Sequence, residues 1–202
     1  MRKTLLLVLA VGLGTLGALA LADSPITSTD FWKAYKDYPV VQKAAREKTM
    51  SLEFAEYLSN PSTPIGVKAA VINALSWAFE GKHNAELYRY YLALRYRCTL
   101  DELTPDLLNA DEVFCLGYLT VMDDYFHPEN ALPLLEAASR RRRNSFTVAI
   151  VLALTRAQKA MDDDLEKVWP PVKRVLDDKN LQKDLRPEAV KIILDYMKLY
   201  AE

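Results

Sequence analysis

The sequence predicts an all-α fold for everything past Asp23. Apolar residues recur at three- and four-residue spacing through almost every segment. Sustained alternation of apolar and polar residues with β-branched enrichment is missing. Six glycines in 202 residues are also too few for a turn-rich β architecture. Half of the residues are apolar and 26% are charged, which supports a buried core and excludes global disorder. A formal charge of -1 removes the electrostatic case for nucleic acid or an anionic membrane as the main partner.

Residues 1–22 stand apart from that pattern. A basic start, Met1-Arg2-Lys3, leads into an uncharged stretch from Leu5 that closes on Ala20-Leu21-Ala22 before Asp23-Ser24-Pro25. This is the three-part shape of a secretory signal peptide, with cleavage expected after Ala22; a retained anchor is the competing reading, weakened by Gly12, Gly14 and Gly17. Cleavage would leave residues 23–202 as one domain with 24 basic and 27 acidic residues, a charge of -3. The expected destination is periplasmic or extracellular, with no membrane insertion after cleavage.

Each helix has a chemical reason to start or stop. Predicted helices span 30–38, 40–59 with a break near Thr49, 64–80, 85–97, 110–126, 128–142, 145–161, 163–177 and 187–200, with a short turn at 105–108. Thr63-Pro64 and Thr104-Pro105 read as N-caps followed by a first-turn proline, which has no N–H to lose there. Thr99 with Glu102, and Asn109 with Glu112, have the spacing of a reciprocal capping box. His127-Pro128-Glu129, Asn144-Ser145 and Arg186-Pro187-Glu188 supply the other breaks. Asp162-Asp163-Asp164 sits where a helix should begin and compensates its dipole.

A repeat emerges when the helices are aligned. Residues 67–75, 111–121, 147–154 and 186–194 share one apolar phase, and Leu75, Leu116, Leu154 and Leu194 fall 41, 38 and 40 residues apart. That period is near the short edge for paired-helix solenoids. Ala131-Leu132-Pro133-Leu134-Leu135-Glu136 and residues 168–178, with Pro170-Pro171 in an apolar frame, look like first helices of such pairs, while Lys68 and Arg186 match the basic start of the second. On these residues the chain resembles the HEAT-like, armadillo-like family over 51–200. The resemblance implies a right-handed stack of about four antiparallel helical hairpins, an α-solenoid with prolines kinking the first helices, and scaffold or adaptor work without a cofactor. An irregular helical bundle is the alternative architecture.

Several residues invite a chemical reading. Cys98 and Cys115 are the only cysteines; in an oxidising compartment they would bridge adjacent helices, or else stay as two buried apolar thiols. Asp123 and His127 lie four apart, as on one helix face, but two ligands do not make a metal site. No nucleophile elbow, zinc-protease motif or phosphate-cradling glycine loop is present in the sequence. Arg140-Arg141-Arg142-Arg143 serves either as a C-terminal helix cap or as a docking point for an acidic protein, a phosphate or an anionic polymer.

Residues 88–97 interleave four tyrosines with three arginines. Leu87, Tyr91 and Leu94 form one stripe and Tyr88 and Leu92 another, both expected in the core, which leaves Arg89 and Tyr96 for the exposed side. Trp32, Trp77 and Trp169 read as packing residues.

Three functions follow as expectations. The first is a noncatalytic helical scaffold binding another envelope or extracellular protein, with Arg89, Tyr96 and Arg140 to Arg143 as contact residues. The second is a cell-envelope polysaccharide enzyme using Asp123, Asp124 or Glu129, which needs two carboxylates flanking a cleft. The third is an anionic-polymer binder, which needs Arg89, Arg95 and Arg97 on one face with Arg140 to Arg143.

Overall fold

A computed structural model describes residues 24–161 and 163–201, so the predicted leader and Asp162 lie outside the described residues. The described chain is all-helical, with α1 at Pro39–Glu47, α2 at Leu52–Ser59, α3 at Ile65–Leu75, α4 at Asn84–Tyr96, α5 at Ala110–Asp123, α6 at Leu132–Arg141, α7 at Phe146–Met161, α8 at Trp169–Asp177 and α9 at Pro187–Met197. Short 3-10 turns precede α1, α6 and α8 at Phe31–Tyr35, Pro128–Asn130 and Leu165–Lys167, and one follows α9 at Lys198–Tyr200. Among the described residues, no helix is long and apolar enough to cross a membrane.

Helices α3, α5 and α7 form the interior. Every residue of α3 is buried, and α5 exposes little beyond Ala110 and Thr120. Helix α3 packs against α1, α5, α7 and the Phe31–Tyr35 turn, while α5 lies between α4 and α6, and α7 between α6 and α8. Leu75, Leu116 and Leu154, three of the four phase-marking leucines, are buried on those interior helices. Gly117 lets α5 and α6 approach closely, since a Cβ there would lie 3.0 Å from Leu134 and Leu135.

The two ends of the described chain meet. Helix α9 packs on the Phe31–Tyr35 turn, where Arg186 binds Asp37 through two hydrogen bonds of 2.6 and 2.8 Å. The same guanidinium lies over the rings of Tyr35 and Tyr38 at 4.7 and 5.1 Å. Tyr35 accepts the Arg186 backbone N–H at 2.9 Å. Gly66 makes the closure fit, because a Cβ on it would stand 2.3 Å from the Asp184 carbonyl oxygen and 2.9 Å from the Tyr35 hydroxyl.

Several local expectations are corrected. The capping box at Asn109 and Glu112 forms in full and starts α5, but the Thr99–Glu102 box closes only a turn. No apolar helical run follows Glu102 for it to nucleate. Thr104-Pro105 opens the short turn expected at 105–108, but Pro64, not Thr63, is the N-cap of α3. The expected proline kinks are absent: Pro133, Pro170 and Pro171 stand in the first turns of α6 and α8, each just after a 3-10 turn. A missing N–H costs nothing in a first turn, so proline starts these helices instead of bending them. Helix α5 ends at Asp123, so Asp123 and His127 do not share a helix face; His127 pairs instead with Asp124 at 2.8 Å.

Candidate functional site: arginines converging on the start of α5

Asp111 and Glu112 occupy the first turn of α5, where the Asn109 side chain accepts from both of their backbone N–H groups at 3.0 Å. The helix dipole favours carboxylates there, and both residues are buried. Two buried carboxylates need cations, and they draw them from three helices. Lys68 reaches Asp111 from the middle of α3 at 2.8 Å, with its side chain fully buried. Arg142, at the end of α6, pairs with the other oxygen of Asp111. From α4, Arg95 lies 3.3 Å from Glu112, and Tyr96 donates to its second oxygen at 2.5 Å.

The two basic clusters of the sequence therefore meet on neighbouring residues of α5. Tyr96 is half-buried and committed to Glu112, which corrects its placement on the exposed side. Its hydroxyl is held protonated by burial and by the Glu112 carboxylate beside it. Arg89 is exposed as expected and donates to the Leu100 carbonyl at 3.3 Å.

The four consecutive arginines divide by role. Arg141 donates to the carbonyls of Pro105 and Leu108 at 2.9 Å and to Asp106 at 3.0 Å, fixing the turn before α5. Arg142 is taken by Asp111. Arg143 donates from its Nε to the Arg140 carbonyl at 3.2 Å, its one side-chain hydrogen bond among the described residues. The Arg140 side chain has no hydrogen-bond or ion-pair partner among the described residues. All four line one open concavity of about 390 Å³ with Asn144, Ser145 and Gln182. Chemically this is a preformed cationic cleft: two arginines are anchored, and two present donors to an incoming carboxylate or phosphate.

The other predicted residues fall elsewhere. Cys98 and Cys115 are both free thiols; Cys98 is half-buried after α4, and Cys115 is buried on α5. Burial pushes the Cys115 thiol well up, which disfavours the reactive thiolate. Asp123 accepts the Ala85 backbone N–H at 2.6 Å and so caps the start of α4. Burial raises its carboxyl to about 6. It lines a concavity of about 360 Å³ together with Asp124, Phe79 and Phe126, but one oxygen is engaged by α4 and the other is buried. No group of three or more His, Cys, Asp or Glu side chains is placed to hold a metal among the described residues.

In the sequence Asp111 and Glu112 read only as a helix start, and no local spacing pairs them with Lys68. A signal was present, since Lys68 is the sole charge in the run from Ile65 to Leu75. The α4 stripe is reversed as well. Tyr88 and Leu92 are buried as expected, but Leu87 is 42% exposed, Leu94 is 80% exposed, and Tyr91 is half-buried.

No family model, no curated protein and no solved structure matches the chain.

Proposed function

We propose that this protein is a noncatalytic helical scaffold of the cell envelope or extracellular space that docks an acidic partner protein in the cleft lined by Arg140 to Arg143. The observation that carries this reading is the division of labour among those arginines. Arg141 and Arg142 are fixed by Asp106, two backbone carbonyls and Asp111, so Arg140 and Arg143 stand on a rigid base with donors unused. Rigid, pre-positioned guanidinium groups lose little entropy on binding. An acidic protein is favoured over a long anionic polymer because Asp111, Glu112 and Asp106 interleave with the basic side chains and interrupt any continuous positive track.

In this reading α4/α5 and α6/α7 are two stacked hairpins of a HEAT-like arrangement, joined through α5 and α6 and extended by α8 on α7, while α9 packs on the Phe31–Tyr35 turn and not on α8. The packing of α4 on α5 and of α6 on α7 supports it. No cofactor takes part. The test is capture of envelope proteins at low and moderate salt by the full chain and by an Arg140→Ala/Arg143→Ala variant, with the captured species identified and its binding remeasured in purified form. We expect one acidic protein whose affinity falls about tenfold or more in the variant. Equal affinity for variant and parent would reject the cleft, and retention of anionic polysaccharide alone would replace the protein partner.

A further inference from the structure

Helix α4 turns its buried face, Asn84, Tyr88, Leu92 and Ala93, toward the core. On the opposite side, Leu87, Tyr90 and Leu94 are 42%, 47% and 80% exposed. At 100° per residue these three fall within an arc of about 60°, so they form one straight apolar row on the outside of the molecule. Isolated exposed leucines are ordinary, but an aligned row opposite the packed face of a helix marks an association surface.

The flank of this row is charged at both ends with opposite signs. Glu86 lies beside it on one edge, and the Cα of Arg97, the left-handed residue that caps α4, projects to the same edge eleven residues on. Glu86 is exposed and held only by exposed neighbours, His83 at 3.4 Å and the Tyr90 hydroxyl at 3.2 Å. The Arg97 guanidinium is exposed and has no partner among the described residues.

We infer that the outer face of α4 binds a second copy of this chain, as an antiparallel α4–α4 pair about a two-fold axis near Tyr90 and Tyr91. A two-fold axis between antiparallel helices brings the same flank of each helix together in reverse order. Leu87 then meets Leu94 of the other copy, the tyrosines cross at the axis, and Glu86 faces Arg97 twice. The opposed helix dipoles add to the match. A row this short buries less than an obligate dimer does, so the pair is weak and reversible. The inference is independent of the arginine cleft, because Arg140 and Arg143 take no part in it.

The test is sedimentation equilibrium of the full chain, purified in the form the cell leaves it, up to about 0.5 mM. The expected result is a concentration-dependent rise from the mass of one chain toward two. Leu94→Asp should abolish the rise while leaving the thermal unfolding curve in place, since Leu94 is exposed. Glu86→Arg and Arg97→Glu should each weaken the pair severalfold, and the two together should restore it. Arg140→Ala/Arg143→Ala should leave it unchanged. A single chain mass at every concentration would overturn the inference, and so would a dimer that survives Leu94→Asp or charge variants that fail to rescue one another.

Discussion

Helices α3 and α4 are consecutive, yet they invert the usual rule of what goes inside. A lysine is wholly buried on α3, and a leucine is four-fifths exposed on α4. The difference lies in how many sides of each helix the fold covers. Helix α3 is enclosed by α1, α5, α7 and the Phe31–Tyr35 turn, so all of its faces are interior, and the one charged residue must bring a partner. Helix α4 is covered on one side by α5 and α2, so an apolar row on its other side has nothing of its own chain to meet. Burial of a charge thus reports a structural ion pair, and exposure of a leucine row reports a surface available for contact.

The largest effects are expected where the interior pairing is broken. Asp111→Ala leaves Lys68 buried without its carboxylate and releases Arg142, so chemical denaturation should show a loss of about 3–5 kcal/mol. Gly66→Ala drives a Cβ into the Asp184 backbone. That segment is held in place by Ser145 and Thr147 hydrogen bonds to the Asp184 carboxylate, so a loss of roughly 2–3 kcal/mol is expected in the same measurement.

Asp123 sharpens the contrast from the start of α4, since it is a buried carboxylate whose nearest donors are backbone amides. Its carboxyl is raised from the usual range to about 6, so the folded state holds a proton that the unfolded state releases. Stability from this group therefore falls as pH rises from about 4 to about 6 and is level above that. Asp123→Asn keeps a capping side chain without the charge. Unfolding at pH 7 should show a gain of about 1–2 kcal/mol, with the slope between pH 4 and 6 reduced. The smallest effect on stability belongs to the outer row: Tyr90→Ser should shift unfolding by less than about 0.5 kcal/mol.

The all-helical class was legible because its signals are local. The capping box at Asn109, the proline starts and the apolar periodicity placed every long helix, with ends differing by a few residues. Helices α3 and α8 are the main exceptions: α8 starts six residues late, at Trp169, after the Leu165–Lys167 turn, and α3 stops at Leu75, where Ser76 turns to φ +62° and Lys82 donates to the Leu75 carbonyl at 2.7 Å. That lysine comes from seven residues on, beyond the reach of a periodicity argument. The arginine run could be flagged by composition, but its split into anchored and free members depends on Asp106 and Asp111, which tertiary packing brings to it. The direction of the α4 stripe was illegible for the same reason. Periodicity shows that residues share a face, and only the neighbours of the helix decide whether that face is covered.

The most direct test exchanges the two residues that define the contrast, as Lys68→Leu and Leu94→Lys, and compares their denaturant unfolding with the parent chain at pH 7. Residue type alone would make the first stabilising and the second neutral or better, since it adds a leucine to an apolar helix and a lysine to a surface. Enclosure predicts otherwise for α3: Lys68→Leu loses about 3 kcal/mol because Asp111 keeps only Arg142, while Leu94→Lys stays within about 0.5 kcal/mol. An unchanged or more stable Lys68→Leu, or a Leu94→Lys that unfolds much more readily, would contradict the account.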